Sequence, residues 1–480
     1  MDSLHTILRE VFGHAQFRGS QEPIIRRLLA GQHALVLMPT GGGKSLCYQL
    51  PALLPMGDSP ALVLVLSPLI ALMKDQVDSL RRKGIDATFI NSSLSANERK
   101  ERYANLAAGK YRLLYVTPER FRKPDFCDAL SQRTVHLLAV DEAHCVSEWG
   151  HDFRPDYTRL ESIRQSLGNP VTIALTATAT AACQQDILRQ LGLSPAEVQI
   201  FNSGIERENL DLQVAEIWDE EEKVTHIQEI LADPRCPTGS SGITYFTLIK
   251  TLERFSDYLR KAGIDHLCYH GDLDRKQRRR IQERFMNGDC PLVLATNAFG
   301  MGIDKEDIRF VIHAEAPGSI ESYYQEIGRA GRDNLPAVCR LLYAQGDLMT
   351  QMQFIEWRNP DADFYGRLFH YLGKHQEEVR AFGFDWLNEK LQSVSRHDHR
   401  LSTALAILDR HEIVAGPHPP QAFELRCPVD PPPAPFADNT ALSAKRTADQ
   451  QRLYALVQYT QSEDRKAFLE DYFKSPPAAS

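Results

Sequence analysis

The 480-residue chain has no Cys-x-x-Cys pair among its nine cysteines. A zinc ribbon is thereby excluded, and an odd, scattered set of thiols does not suit a disulfide scaffold, so buried thiols in a reducing compartment are expected. No apolar run approaches the length of a membrane span, and no membrane partner is expected. The opening residues, Met1-Asp2-Ser3-Leu4-His5, lack the basic-then-apolar pattern of a secretory leader. A cytoplasmic address is expected for a bacterial source, and a nuclear or organellar one otherwise. Positive charge is not in excess, since 55 Lys and Arg stand against 63 Asp and Glu for a formal net charge of −8. That excludes a protein coated in basic surface, but not one with a local positive track for nucleic acid. No internal repeat at solenoid spacing is present.

What is present is a globular composition, 43% hydrophobic and 25% charged, in a chain too long for one ordinary domain. Two stretches alternate short apolar runs with helical segments, as parallel α/β domains do. The first has candidate strands at 34–38, 62–66, 112–116, 136–140 and 172–175; the second has them at 243–246, 266–269, 292–295, 310–313 and 338–342. These runs are β-branched or leucine-rich and do not alternate, as expected of strands buried on both faces. The join is expected near 202–210, where both patterns lapse.

After about residue 350 this rhythm stops. Helical patterns at 364–375 and 386–391 and the spacing of Leu401, Leu405 and Leu408 are followed by two possible short strands, 412–414 and 422–426. A winged-helix-like module and a purely helical appendage both remain open. The expected division is 1–205, 206–350, an accessory module over 351–427, a proline-rich linker over 428–447 and a helical segment over 448–480.

The strongest local signal is Met38-Pro39-Thr40-Gly41-Gly42-Gly43-Lys44-Ser45, between an apolar strand and a plausible helix. Glycines let backbone N–H groups wrap a phosphate, and a helix N-terminus adds its positive dipole. Thr40, Gly41, Gly42 and Gly43 form this cradle, Lys44 is placed to reach the β- and γ-phosphates, and Ser45 to join a Mg²⁺ shell. Met38 stands where the usual pattern opens with Gly or Ala.

A second strand, Leu137-Leu138-Ala139-Val140, ends in Asp141-Glu142-Ala143-His144. Strand ends in a parallel sheet lie beside such a loop, so Asp141 can hold Mg²⁺ and Glu142 can orient an attacking water. Upstream, Arg18 and Gln21 flank the site, and the planar amide of Gln21 offers the donor and acceptor that an adenine edge requires. Downstream, Tyr324-Gln325-Glu326-Ile327-Gly328-Arg329-Ala330-Gly331-Arg332 holds two arginines in a glycine-rich setting, the pattern of an arginine finger supplied from a second domain. The basic run 275–280 reads as a solvated helix face, with a DNA-backbone contact as the alternative.

Together with Ser67-Pro68-Leu69-Ile70-Ala71-Leu72-Met73-Lys74-Asp75-Gln76, Tyr115-Val116-Thr117-Pro118-Glu119-Arg120 and Asp141-Glu142-Ala143-His144-Cys145-Val146-Ser147-Glu148-Trp149-Gly150-His151-Asp152-Phe153-Arg154-Pro155, these blocks resemble the RecQ family of superfamily 2 DNA helicases over roughly residues 5–345. The resemblance implies an α/β fold of two tandem RecA-like domains with ATP and Mg²⁺ in the cleft between them, plus a smaller helical or winged-helix-like C-terminal region. It implies a monomeric, DNA-stimulated ATPase that moves 3′ to 5′ on single-stranded DNA and unwinds duplex or branched DNA in repair or recombination. It also implies that the loop after the acid pair senses single strands; Trp149 and Phe153 offer stacking faces and Arg154 a charge. By the same resemblance Gln325 joins the catalytic set and Asp304 the nucleotide site, while Thr176, Thr178 and Thr296 take part in DNA binding or coupling. Glu148 stands where the family often has Gln.

Past residue 345 the pattern departs from the family. The four cysteines of its zinc-binding helical hairpin are missing, so no structural zinc is expected. The stretch 454–473 resembles the start of that hairpin with Thr460 and Asp464 at two ligand positions. An RNA helicase, a translocase without strand separation and a non-catalytic scaffold are the rival readings. Intact Lys44, Asp141, Glu142, Arg329 and Arg332 disfavour the last.

Overall fold

The run Leu62-Val63-Leu64-Val65-Leu66 is buried at every position, as a strand covered by helices on both faces must be. It is the third strand of a seven-stranded parallel sheet. The computed structural model describes residues 3–55, 62–68, 70–147, 157, 159–237, 239–300, 303, 305–391, 398–411, 413–415, 424–425 and 433–474. The strands of this sheet are β1 (His33–Leu37), β2 (Leu62–Leu66), β3 (Ala87–Ile90), β4 (Leu113–Val116), β5 (Val135–Val140), β6 (Val171–Thr176) and β7 (Val198–Asn202), in the order β3-β4-β2-β5-β6-β1-β7. A second parallel sheet contains β8 (Leu210–Glu216), β9 (Ser241–Tyr245), β10 (Leu267–Tyr269), β11 (Leu292–Ala295), β12 (Ile308–His313) and β13 (Ala337–Tyr343), in the order β10-β11-β9-β12-β13-β8.

Three strands have no counterpart among the sequence expectations: β3, β7 and β8. All three are sheet edges. β7 exposes Gln199 and Ile200, and β8 is only half-buried between its ends. A strand open on one face needs no continuous apolar run, so the criterion that finds interior strands passes over β7 and β8; β3 is buried at all four positions, and its run is short and interrupted by Thr88. β7 and β8 therefore flank the 202–210 stretch where the pattern lapses.

Beyond the second sheet, helix Gln345–Arg358 leads to helices Ala362–Lys374, Gln376–Leu391 and Arg400–Arg410. A two-residue antiparallel ribbon, β14 (Val414–Ala415) with β15 (Glu424–Leu425), follows. Phe364, Leu368, Leu387, Leu401, Leu405 and Val414 give this unit a core of its own. Asp409 of the third helix pairs with Arg122 of the first domain at 2.9 Å.

The last two helices, Asn439–Gln461 and Arg465–Lys474, begin earlier than the sequence pattern indicates. Much of 428–447, expected as a proline-rich linker, is the first two turns of a long helix. Asp438 caps it by accepting from the Thr440 N–H at 2.8 Å. Residues 439–447 carry good helix formers but little apolar periodicity, so propensity and capping act where no stripe is visible. The two helices form a hairpin that adds Leu453, Leu456, Tyr459, Leu469 and Phe473 to the second domain's core. Tyr459 and Tyr323 share a buried hydroxyl–hydroxyl bond of 3.0 Å, and Tyr472 donates to Glu321 at 2.7 Å. At the hairpin turn, Asp464 caps the second helix by accepting from the Ala467 N–H at 3.0 Å, and Thr460 donates to the Val457 carbonyl at 2.7 Å. Among the described residues no helix is long and apolar enough to cross a membrane.

Candidate nucleotide-hydrolysis site

In the first sheet β6 lies between β1 and β5, so the loop after β1 and the acid pair after β5 open at the same edge. Ligands of open parallel sheets bind at this carboxyl end. The loop Pro39–Ser45 turns on two glycines with left-handed backbone, Gly41 (φ +83°) and Gly43 (φ +78°). A Cβ at Gly43 would fall 2.4 Å from the Gln21 amide nitrogen, so only glycine fits. Gln21 Nε2 donates to the Gly43 carbonyl at 3.1 Å, and its Oε1 accepts from the Arg18 N–H at 2.9 Å. The structure thus sets Gln21 against the phosphate loop, with its amide satisfied by protein, while Arg18 lines the cleft.

Lys44 folds back over the loop, donating to the carbonyls of Met38 at 3.0 Å and Pro39 at 3.4 Å. Burial lowers its amine from the ordinary lysine value, against the opposing pull of Glu142 and Asp141. Asp141 is buried, and burial together with the neighbouring Glu142 charge pushes its carboxyl up to about 7. Its Oδ1 accepts the Glu142 N–H at 3.0 Å. Glu142 itself is in the left-handed region, with φ 49°. For a side chain without a special turn preference this costs on the order of 1–2 kcal/mol, and such strain collects at functional sites. The buried Oε2 of Glu142 has no hydrogen-bond partner, His144 Nδ1 standing 3.5 Å away, and Glu142 lines the same cleft as Lys44. Three features therefore suit a Mg²⁺-bound triphosphate: the glycine cradle, the orphaned Glu142 oxygen, and the hard-oxygen pair Ser45 and Asp141. Among the described residues no group of three or more His, Cys, Asp or Glu could hold a metal by itself. Mg²⁺ takes one or two protein oxygens and completes its shell with phosphates and water.

The opposite wall comes from the second domain. Gln325, Arg329 and Arg332 face Lys44, Ser45, Asp141 and Glu142 across a cleft of about 360 Å³. Arg332 reaches furthest, its Cγ lying 3.3 Å from where a Cβ of Gly41 would stand. Its charge is felt at Lys44. Arg329 is buried and packs on Gly300, whose Cβ would meet its Nη2 at 2.9 Å. Thr40 and Gly328 also approach across the cleft. The two arginines therefore differ: Arg332 covers the phosphate loop, and Arg329 forms the floor between this cleft and a second cavity.

That second cavity, of about 530 Å³, opens at the carboxyl ends of β9 and β11. Thr247, Thr296 and Asn297 line one side, and Phe354, Arg358 and His399 of the appended region line another. In its lining, His313 and Glu326 pair at 2.7 Å, and Tyr245 stacks on His313 at 5.4 Å.

A family model for the DEAD/DEAH box helicase matches residues 18–186, and one for the helicase conserved C-terminal domain matches residues 222–334. The ATP-dependent DNA helicase RecQ of Haemophilus influenzae is 45% identical over 342 residues, which are 71% of this chain and 53% of that protein. The probable ATP-dependent DNA helicase RecS of Bacillus subtilis is 39% identical over 379 residues, 78% of this chain and 74% of that protein. The chain belongs to the RecQ family of superfamily 2 helicases. It spans about half the length of the Haemophilus relative. The fold is also that of the DUF1998 helicase MrfA bound to DNA, with a TM-score of 0.60, 18% identity, and coverage of 89% of this chain and 62% of that one.

Within this RecQ-family frame the placement of the expected residues can be read directly. Thr40, Gly41, Gly43, Lys44, Ser45, Arg18, Asp141, Glu142, Gln325, Arg329 and Arg332 line one cleft. Thr296 lines the neighbouring cavity instead. Thr176 and Thr178 are buried, which leaves them able to couple parts of the site rather than to touch a strand. Asp304, Trp149, Phe153 and Arg154 lie outside the described residues. The sequence reading passed over His144 as a site residue. Its Nδ1 meets the Thr176 hydroxyl at 3.0 Å and stands 3.5 Å from Glu142 Oε2, and Thr176 donates in turn to the Thr178 carbonyl at 3.1 Å. A histidine two residues after the acid pair is the signal that could have found it, because it can bridge adjacent strand ends.

Proposed function

We propose that the chain is an ATP-driven motor that advances on single-stranded DNA and separates duplex or branched DNA, 3′ to 5′, in repair or recombination. The observation that carries this reading is Arg332 lying over the phosphate loop from the other domain. Groups that bind the triphosphate then belong to both domains, so nucleotide binding favours a closed cleft and loss of the γ-phosphate relaxes it. Lys44 and Arg332 would stabilise charge on the transferring phosphoryl group, and Glu142 would orient the attacking water and accept its proton. Mg²⁺, held by Ser45 and Asp141, would supply neutralising charge at the β- and γ-oxygens.

The cavity at the ends of β9 and β11 supports a strand path beside this engine. Threonine hydroxyls and an asparagine amide suit sugar and phosphate oxygens, while Phe354 offers a stacking face and Arg358 a fixed positive charge. Both relatives above carry the words ATP-dependent DNA helicase in their names. A complete hydrolytic site within one chain suits a monomer, and sedimentation of the purified protein tests that. Gel separation of a duplex with a 3′ single-stranded tail, in the presence of ATP, tests the motor. Release of the displaced strand is expected. ATP consumption and movement without release would instead favour the translocase reading.

Two further outcomes are expected. The form of Asp141 that can hold Mg²⁺ is the carboxylate, and burial with the Glu142 charge raises its pKa to about 7. The Kd for Mg·ATP, read by titration with a fluorescent analogue, should therefore rise as pH falls below neutrality, and Glu142→Gln, by removing the adjacent charge, should move that rise to lower pH. An unchanged profile in the variant would contradict the coupling. The hairpin turn is closed by Asp464 and Thr460 hydrogen bonds, so a chelator strong enough to strip zinc should leave thermal unfolding in place, and metal analysis should find no stoichiometric zinc.

A further inference from the structure

The short turn that follows the catalytic acids, with Glu142 at its N-cap, is tied to the rest of the domain at both ends. It runs as one 3₁₀ turn, Ala143–Val146, with all four residues buried. Its first tie is His144 to Thr176, at the end of β6. Its second lies outside the hydrolytic cleft: Ser147 donates to Asp186 Oδ2 at 2.7 Å. Ser147 is fully buried and Asp186 is 4% exposed. A carboxylate in such a place is costly unless its oxygens are engaged. Here the other oxygen accepts from Arg189 and, at 3.4 Å, from Gln190.

Asp186 sits in helix Ala181–Gln190, which Thr180 caps by accepting from the Cys183 N–H. That helix continues directly from the Thr176–Thr180 segment. The two ties therefore join one turn to one continuous piece of backbone, at Thr176 and ten residues on at Asp186. A turn pinned at both ends moves as a unit, so displacement at Ser147 is carried to His144 and to Glu142. Ser147 is also the last described residue before the segment in which the sequence places Trp149 and Phe153.

We propose that Asp186 is a positioning residue: its bond to Ser147 transmits strand binding to Glu142 by holding the far end of the acid-bearing turn. This rests on the reading of the chain as a DNA-stimulated ATPase. The test is ATP hydrolysis by the full chain with and without an oligothymidylate, comparing the parent with Asp186→Ala, Asp186→Asn and Ser147→Ala. Asp186→Ala and Ser147→Ala should cut the ratio of stimulated to basal rate roughly tenfold or more, the scale of one buried charge-assisted hydrogen bond. The KM for ATP should stay within about twofold, since no contact to nucleotide is lost. Asp186→Asn keeps an oxygen that can accept from Ser147 and should retain most of the ratio. A ratio equal to the parent's in Asp186→Ala, or equal losses of basal and stimulated rate that Asn does not rescue, would overturn the proposal.

Hydrogen exchange of the peptide spanning 143–147 separates this inference from the reading beneath it. Faster exchange in Asp186→Ala than in the parent is expected whether or not the parent responds to DNA, and unchanged exchange would remove the pin. A parent that shows no stimulation, with faster exchange in the variant, would count against the DNA-motor reading and leave the pin standing.

Discussion

Arg332→Ala should lower ATP turnover about a thousandfold, at the low end of what arginine fingers contribute, while leaving the folded protein intact. Its side chain lies against the phosphate loop rather than in a core, with Gly41 as its near neighbour. Removing it takes away charge stabilisation that matters most when the γ-phosphoryl group is in flight, so kcat should fall far more than KM rises. Arg329→Ala makes a useful contrast. Arg329 is buried against Gly300 and Tyr245, so its loss should reduce turnover and also lower the unfolding temperature. Steady-state ATP hydrolysis and thermal melting on both variants would check this. Equal melting losses, or a turnover change confined to Arg329→Ala, would mean that the finger has been assigned to the wrong arginine.

Lys44→Ala is expected to reduce hydrolysis about a hundredfold to a thousandfold, the scale of one preorganised donor to a developing phosphate charge. The geometry makes a second demand. Lys44 now holds the carbonyls of Met38 and Pro39, so the alanine variant should also loosen the loop and weaken nucleotide binding. Its ATP affinity, measured by titration with a fluorescent analogue, should fall together with kcat. Lys44→Arg keeps the charge, but its planar fork cannot repeat a point-charge contact in so tight a turn, so it should rescue affinity better than turnover. Full activity in Lys44→Ala would remove the phosphate-loop reading altogether.

The parts of the site that were legible in the sequence are those whose chemistry is local. The glycine cradle with Lys44 and Ser45 is contiguous, and so are Asp141 with Glu142 and Arg329 with Arg332. Each announces itself because a phosphate or a metal needs those groups within one loop. The interior strands were legible for a similar reason, since burial on both faces leaves unbroken apolar runs such as 62–66. What escaped depends on contacts between distant segments. His144 becomes a site residue only when β6 brings Thr176 beside it, and Asp186 only when its helix packs on the acid-bearing turn. Edge strands β7 and β8 escaped because half-covered strands carry no such run, whereas β3 is buried along its length but offers only the four-residue run Ala87-Thr88-Phe89-Ile90. The early start of helix Asn439–Gln461 escaped because capping by Asp438 does not depend on an apolar stripe. Gln21 shows the opposite limit: its chemistry suits an adenine edge, yet its amide is engaged by Gly43 and Arg18.

The central claim is that hydrolysis at the interdomain cleft is driven by a single strand of DNA. The most direct measurement is the ATPase rate of the parent protein alone, with single-stranded DNA, and with RNA of the same sequence. Strong stimulation by DNA and little by RNA is expected. Stimulation by RNA alone, or an active ATPase that responds to neither, would contradict it.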